Sequence, residues 1–209
     1  MDKNIKKINA RTITLTILFV LILVVIALLI GKFTYSYLAP TVSDDVEGSG
    51  EVTASGDTII FTKGNTLSLS ATTDNFKTNG GNLTATTNPK VKLMASSKTN
   101  SASSKYFAGI IIKNNTYSYT TTDKKPEIIL TVKDENGKIV ESSADNLTFV
   151  TVNDNLKGFD ITGVNGAFNI VTDHVIATSS NKSEVIHTWT FTLTFVNLGT
   201  DQSNNEKLH

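Results

Sequence analysis

Residues 185–196 read Val-Ile-His-Thr-Trp-Thr-Phe-Thr-Leu-Thr-Phe-Val. Val185, His187, Trp189, Phe191, Leu193 and Phe195 fall on one side of an extended chain, and Ile186, Thr188, Thr190, Thr192, Thr194 and Val196 on the other. Successive side chains of a strand point to opposite faces, so this period of two predicts one strand with an aromatic core face and a threonine face toward solvent. The pattern is too regular for a helix.

The same alternation recurs upstream. Ile128, Leu130 and Val132 lead into Asp134-Glu135-Asn136-Gly137, and Ile139-Val140 follows. Asn-Gly supplies the positive φ of a tight turn, so a hairpin is expected there. Thr58–Thr62, Leu67/Leu69/Ala71, Leu83/Ala85 and Val91/Leu93/Ala95 read as further strands. Tyr106–Lys113 and Thr116–Thr121 flank Asn114-Asn115, which predicts a second hairpin. Leu147–Val152, Phe159–Thr162 and Phe168–Val171 are shorter strand segments, and Ser96–Lys105, without an apolar anchor, reads as a loop. Many short strands separated by turn residues predict an all-β fold, an antiparallel β-sandwich of Ig-like or jelly-roll-like kind.

Composition agrees. Lysine plus arginine and aspartate plus glutamate each number 19, for zero formal charge, and charged residues make up 18%. A balanced charge supplies no field to gather nucleic acid. Cysteine is absent, which excludes a disulfide framework, a thiolate zinc site, a cysteine nucleophile and an acylated-cysteine anchor.

From Ile13 to Ile30 the chain runs ITLTILFVLILVVIALLI, eighteen residues without a charge. As a helix this would span roughly 27 Å, close to the hydrocarbon thickness of a bilayer. The run is apolar all round, with Ile13, Leu15, Leu18, Phe19, Leu21, Val24, Ile26, Leu29 and Ile30 as anchoring side chains. One transmembrane helix is expected over residues 12–32. Lys3, Lys6, Lys7 and Arg11 precede it, and Asp44, Asp45, Glu47 and Glu51 follow. The positive-inside rule then puts residues 1–11 in the cytoplasm and everything beyond the helix outside the cell. The run exceeds the length of a cleavable signal core, and GKFTYSYLAP has no clean Ala-x-Ala site, so an uncleaved signal-anchor is expected. Residues 33–56 read as a stalk, 57–200 as the sandwich and 201–209 as a polar tail.

Chemistry is sparse. His174, His187 and His209 have no histidine at i+4, so no zinc-protease helix motif is present. His187 reads as a core histidine on its apolar strand face, and His174, after Asp173, as a turn residue. Phosphate-cradling glycine loops and a GxSxG elbow are absent. Asp134–Gly137 is flanked by strands, which favours a turn over a calcium loop. The four sequons, at Asn82, Asn114, Asn146 and Asn181, match what so much asparagine, serine and threonine produces by chance. No catalytic residue, metal ligand or cofactor is assigned. Tyr117 and Tyr119 are candidates for a surface patch that stacks on sugar or peptide.

Residues 31–43, GKFTYSYLAPTVS, are similar to the Thr-Tyr-Ala-Tyr/Phe segment that follows the signal of TasA/camelysin-type secreted proteins of Gram-positive bacteria. Residues 195–205, FVNLGTDQSNN, resemble the Asp-Gln-Asn segment after a late apolar strand of those proteins. The resemblance implies a surface-exposed β-sandwich, in some members a matrix-fibre subunit. Camelysin-like members have been described as metalloproteases, but no residues here match a ligand set, and that activity is not carried over. The family pattern would lead into a further strand after His209. Were that strand absent, an open edge could take strands of other chains, with residues 50–62 as a candidate donor, but an edge already blunted by lysines and loops is the favoured expectation.

The expected protein is therefore a bacterial single-pass membrane protein with an extracytoplasmic β-sandwich in a structural, adhesive or binding role, without catalysis. Its expected partners are the lipid bilayer, other cell-surface or matrix proteins or glycans, and further copies through sheet edges, but not nucleic acid. A signal-cleaved matrix or fibre subunit is the alternative. A surface hydrolase or metallopeptidase is the alternative of another class, which convergence of His174 or His187 with two carboxylates in a concave pocket would favour.

Overall fold

Alternating apolar and polar residues shape most of the chain that can be seen. The computed structural model describes residues 50–54, 56–70, 75, 81–96, 101–200 and 202. The expected membrane helix, its anchoring and positive-inside residues, most of the stalk and the segment after Gln202 lie outside them. Among the described residues no helix is long and apolar enough to cross a membrane.

The first strands are β1 (Gly50–Ala54), β2 (Asp57–Thr62), β3 (Leu83–Thr87), β4 (Lys90–Met94) and β5 (Ser103–Ile112). They are followed by β6 (Ile128–Lys133), β7 (Phe149–Asn153), β8 (Leu156–Asp160), β9 (Gly166–Ala177), β10 (Glu184–Thr188) and β11 (Thr190–Phe195). β1-β2-β4-β10 form one sheet, β3-β11-β6-β8-β7 a second, and β5-β9 a two-stranded ladder. Every pairing is antiparallel. The described part is thus all-β with antiparallel sheets, consistent with a β-sandwich. Ile59, Val91 and Leu93 of the first sheet meet Leu130, Val132, Phe159 and Phe191 of the second and Tyr106, Ile170 and Ile176 of the ladder in one buried cluster. Full burial of such side chains is worth about 1.5–3 kcal/mol each, which makes this cluster the main source of cohesion.

The strand expected over 185–196 is broken in two at Trp189. β10 pairs with β4, whereas β11 pairs with β3 and β6. Segments 83–94 and 184–195 run side by side and leave one sheet for the other together, at Asn88-Pro89 and at Trp189. The Trp189 N–H donates to the Pro89 carbonyl at 3.0 Å, and Asn88 Nδ2 donates to Thr190 Oγ1 at 2.9 Å. Proline has no N–H to give a ladder and suits a corner of this kind. Past the corner the threonine face is only partly solvated. Thr194 and Val196 are buried, as is Ile129 on the neighbouring strand.

Several expectations need correction. Leu67 and Leu69 lie in chain without strand pairing, although both pack at the edge of the core. No hairpin forms about Asn114-Asn115. β5 pairs instead with β9, and residues 116–121 cross the end of the fold without strand structure. The ladder begins at Ser103, inside the expected loop. His174 sits within β9 rather than in a turn. Gly50–Ala54, expected as stalk, is β1, and residues 50–62 pair with one another over five residue pairs, so the candidate donor strand is engaged in its own sheet. Gln202, expected in the tail, is fully buried.

Gly158 lets β8 approach β6. A Cβ there would stand 2.5 Å from the Leu130 carbonyl oxygen and 2.8 Å from Ile129 Cγ2. Gly158→Ala is expected to destabilise the fold by about 1–3 kcal/mol, the usual cost of overpacking. Urea denaturation followed by the emission of Trp189 checks this, and an unchanged midpoint would show that the two strands can part freely.

Candidate functional site

Glu135 is held by the turn after β6. Asp134 Oδ1 accepts from the N–H groups of Asn136 (2.9 Å) and Lys138 (2.8 Å). The Gly137 N–H donates to the Asp134 carbonyl at 2.9 Å, and Gly137 has φ 77°, a conformation that glycine adopts without strain. The expected turn is therefore present. Asn136 Nδ2 donates to Glu135 Oε1 at 3.1 Å, which leaves Oε2 to face the histidines.

His174 comes from the ladder. The register slips between Tyr106 and Ala108 and again between Ala108 and Gly109, where β9 carries extra residues. Asp173 adopts φ 55° inside that irregular stretch. Bulges of this kind re-aim neighbouring side chains. His174, opposite Tyr106 in the register, packs edge-on to Trp189 and Tyr106 with ring centroids at 5.0 and 5.3 Å. His187 comes from β10, paired with Val91 of β4.

These side chains meet at one carboxylate oxygen. Glu135 Oε2 lies 3.0 Å from His174 Nε2 and 3.9 Å from His187 Nδ1. Trp189 Nε1–H donates to Tyr106 Oη at 2.9 Å, and Tyr106 Oη lies 2.8 Å from His187 Nδ1. Side-chain exposure is 18% for Glu135, 26% for His174 and 12% for His187.

Protonation follows from this chain of contacts. An indole N–H can only donate, so Tyr106 Oη accepts from it, and we assign the phenol proton to His187 Nδ1. Burial holds the His187 imidazole below its ordinary 6.5, against the raising effect of the Glu135 charge. Burial also pushes the Tyr106 phenol up to about 12, against the hydrogen bond from Trp189. The ligand atoms of Glu135, His174 and His187 lie within 4.8 Å of one another, close enough to share a metal ion. Among the described residues Glu135 is the carboxylate that converges on the histidines, while Asp134 accepts the N–H groups of its turn.

Glu127, unlike Glu135, is fully buried. Glu127 accepts from Tyr117 Oη (2.8 Å), the Thr120 N–H (2.6 Å), Thr120 Oγ1 (2.9 Å) and Gln202 Nε2 (2.5 Å). Tyr117 is buried against Phe195, and Tyr119, half-buried, donates to Asp160 Oδ2 at 2.8 Å. Tyr117, buried, offers no outer face of the kind expected for sugar or peptide, whereas Tyr119 remains partly exposed. A groove of about 470 Å³ lies elsewhere, its lining mixed, with Thr131, Lys133, Asn155 and Thr192 beside Ile139 and Leu156.

No protein family, curated protein or solved structure matches this chain. The site is therefore read from its own geometry, and the resemblance to TasA/camelysin-type proteins stands on its two short motifs. Sequence reasoning assigned no ligand here because Glu135 and His174 are 39 positions apart, with no motif spacing among the three. The one available signal was a histidine on an apolar strand face.

Burial, then the hydrogen bond and charge of Asp160, push the Tyr119 phenol up to about 12. Tyr106 and Tyr119 thus keep their protons after an unfolded chain loses its own near pH 10. Their contribution to stability is whole below about pH 10 and is lost as pH rises through 12. Absorbance titration of phenolate should show Tyr106 and Tyr119 ionising late, and Tyr119→Phe should remove one tyrosine's share of the late signal.

Proposed function

We propose that this chain is a single-pass membrane protein, N-terminus in the cytoplasm, carrying a β-sandwich of Ig-like or jelly-roll-like kind outside the cell. Its role there is structural, adhesive or binding. The observation that carries this reading is the uncharged run from Ile13 to Ile30 behind Lys3, Lys6, Lys7 and Arg11, which favours insertion with the basic end inside. An all-β unit rich in threonine on its outer faces suits display at a cell surface. The groove beside Thr192 supports a ligand such as a glycan. The outward-facing Phe107, Ile111, Val175 and Ile186 leave apolar surface for contact with other surface or matrix proteins. The role is read as non-catalytic because the sequence offers no nucleophile–base constellation and no zinc-protease motif.

Release as a matrix subunit is the second reading, favoured by the likeness of residues 31–43 to the segment after the signal of TasA/camelysin-type proteins. Mass spectrometry on fractionated cells separates the two. The full-length mass in the membrane fraction is expected. A fragment beginning near residues 35–40 in the medium would overturn the anchored reading in favour of the secreted one.

A further inference from the structure

We infer that Glu135, His174 and His187 form a zinc site in which the ion ties the three sheets together. Each sheet supplies one ligand. Glu135 stands on the turn after β6 of the five-stranded sheet, His174 on β9 of the ladder, and His187 on β10 of the four-stranded sheet.

The donor set selects the metal. Two imidazole nitrogens with one carboxylate suit zinc and its neighbours in the first transition row, whereas calcium and magnesium call for oxygen shells. The geometry fits as well. Ligand atoms at roughly 2.0–2.2 Å from a tetrahedral ion stand about 3.3–3.6 Å apart. The separations from Glu135 Oε2, 3.0 Å to His174 Nε2 and 3.9 Å to His187 Nδ1, lie on either side of that value. Small rotations of the side chains close the shell.

His187 Nδ1 and Glu135 Oε2 stand 3.9 Å apart, near enough to share one cation with His174. Asn136 on Glu135 Oε1 and Trp189 on Tyr106 brace the surroundings, as outer partners do around bound metals. Binding exchanges the Tyr106 contact at His187 for coordination and leaves the phenol oxygen beside the ion, able to complete a four-coordinate shell. His174 coordinates through Nε2 as the tautomer that carries its proton on Nδ1. His174 is the most exposed ligand and gives the ion its way in.

The inference does not depend on membrane anchoring. With no cysteine and only three histidines in the chain, few other places could hold zinc tightly. The test uses the full-length chain in detergent micelles, stripped with a chelator and titrated with Zn²⁺ by calorimetry and by the emission of Trp189, the sole tryptophan. One Zn²⁺ per chain and a raised Tm are expected, with no response to Mg²⁺ or Ca²⁺. His174→Gln and His187→Gln should each weaken binding by more than about 100-fold, beyond the cost of losing an outer hydrogen-bond partner, while His209→Gln leaves it unchanged. Absent binding, binding that survives both inner variants, or binding lost in His209→Gln would overturn the site. X-ray absorption of the zinc-loaded wild type guards against variants that fail to fold. Two imidazoles with oxygen support the site, and a shell without two imidazoles refutes it.

Discussion

The indole of Trp189 sits where one stretch of chain passes from the first sheet to the second, and much of the structure depends on how that passage is made. Both sheets share the backbone of residues 184–195, so neither can slide without breaking the contact between Trp189 and Pro89. The buried indole N–H must also find an acceptor, since leaving a buried donor unmade costs about 1–3 kcal/mol. Tyr106 supplies it from a different ladder, and the Tyr106 hydroxyl in turn reaches His187. A single donor at a corner thereby orders three layers of strand against one another.

Much of the strand content was legible because alternation is a local property. β4 and β6 appear close to where apolar residues recur at every second position, whereas β8 begins at Leu156, inside an expected turn. The break at Trp189 was not legible, since the period of two continues unbroken through the corner and only the partners change. Partner choice also defeated the hairpin expected at Asn114-Asn115. Asparagines between two β-rich segments look like a turn, yet β5 finds its partner far along the chain in β9, and such distant pairing leaves no mark on local pattern. Leu67 and Leu69 show the converse, with alternation and core contact but no neighbouring strand to pair with.

The candidate site was less legible than the fold, for a related reason. His187 could be read as facing inward, but nothing in the sequence says that Glu135 and His174 arrive from two other sheets. Asp173-His174 looked like a turn because aspartate tolerates positive φ, and the same tolerance serves a bulge inside a strand. Tyr117 and Tyr119 looked like surface aromatics because the carboxylates that draw them inward, Glu127 and Asp160, belong to other segments. Gln202 shows how far a polar composition can mislead. A glutamine in a hydrophilic tail becomes a core residue once a buried carboxylate needs its amide.

The position of β1 has a mechanical consequence. It is the outermost strand of its sheet, and the chain from the proposed membrane anchor joins it at Gly50, the open end of its ladder with β2. Tension on that side loads the rungs one after another, from Gly50–Phe61 toward Ala54–Asp57, instead of all at once. Such a ladder peels at low force. Freeing its five residues would lengthen the tether by about 17 Å at the rise of an extended strand. The edge strand would then act as a shock absorber, yielding before the shared corner at Trp189 feels the pull.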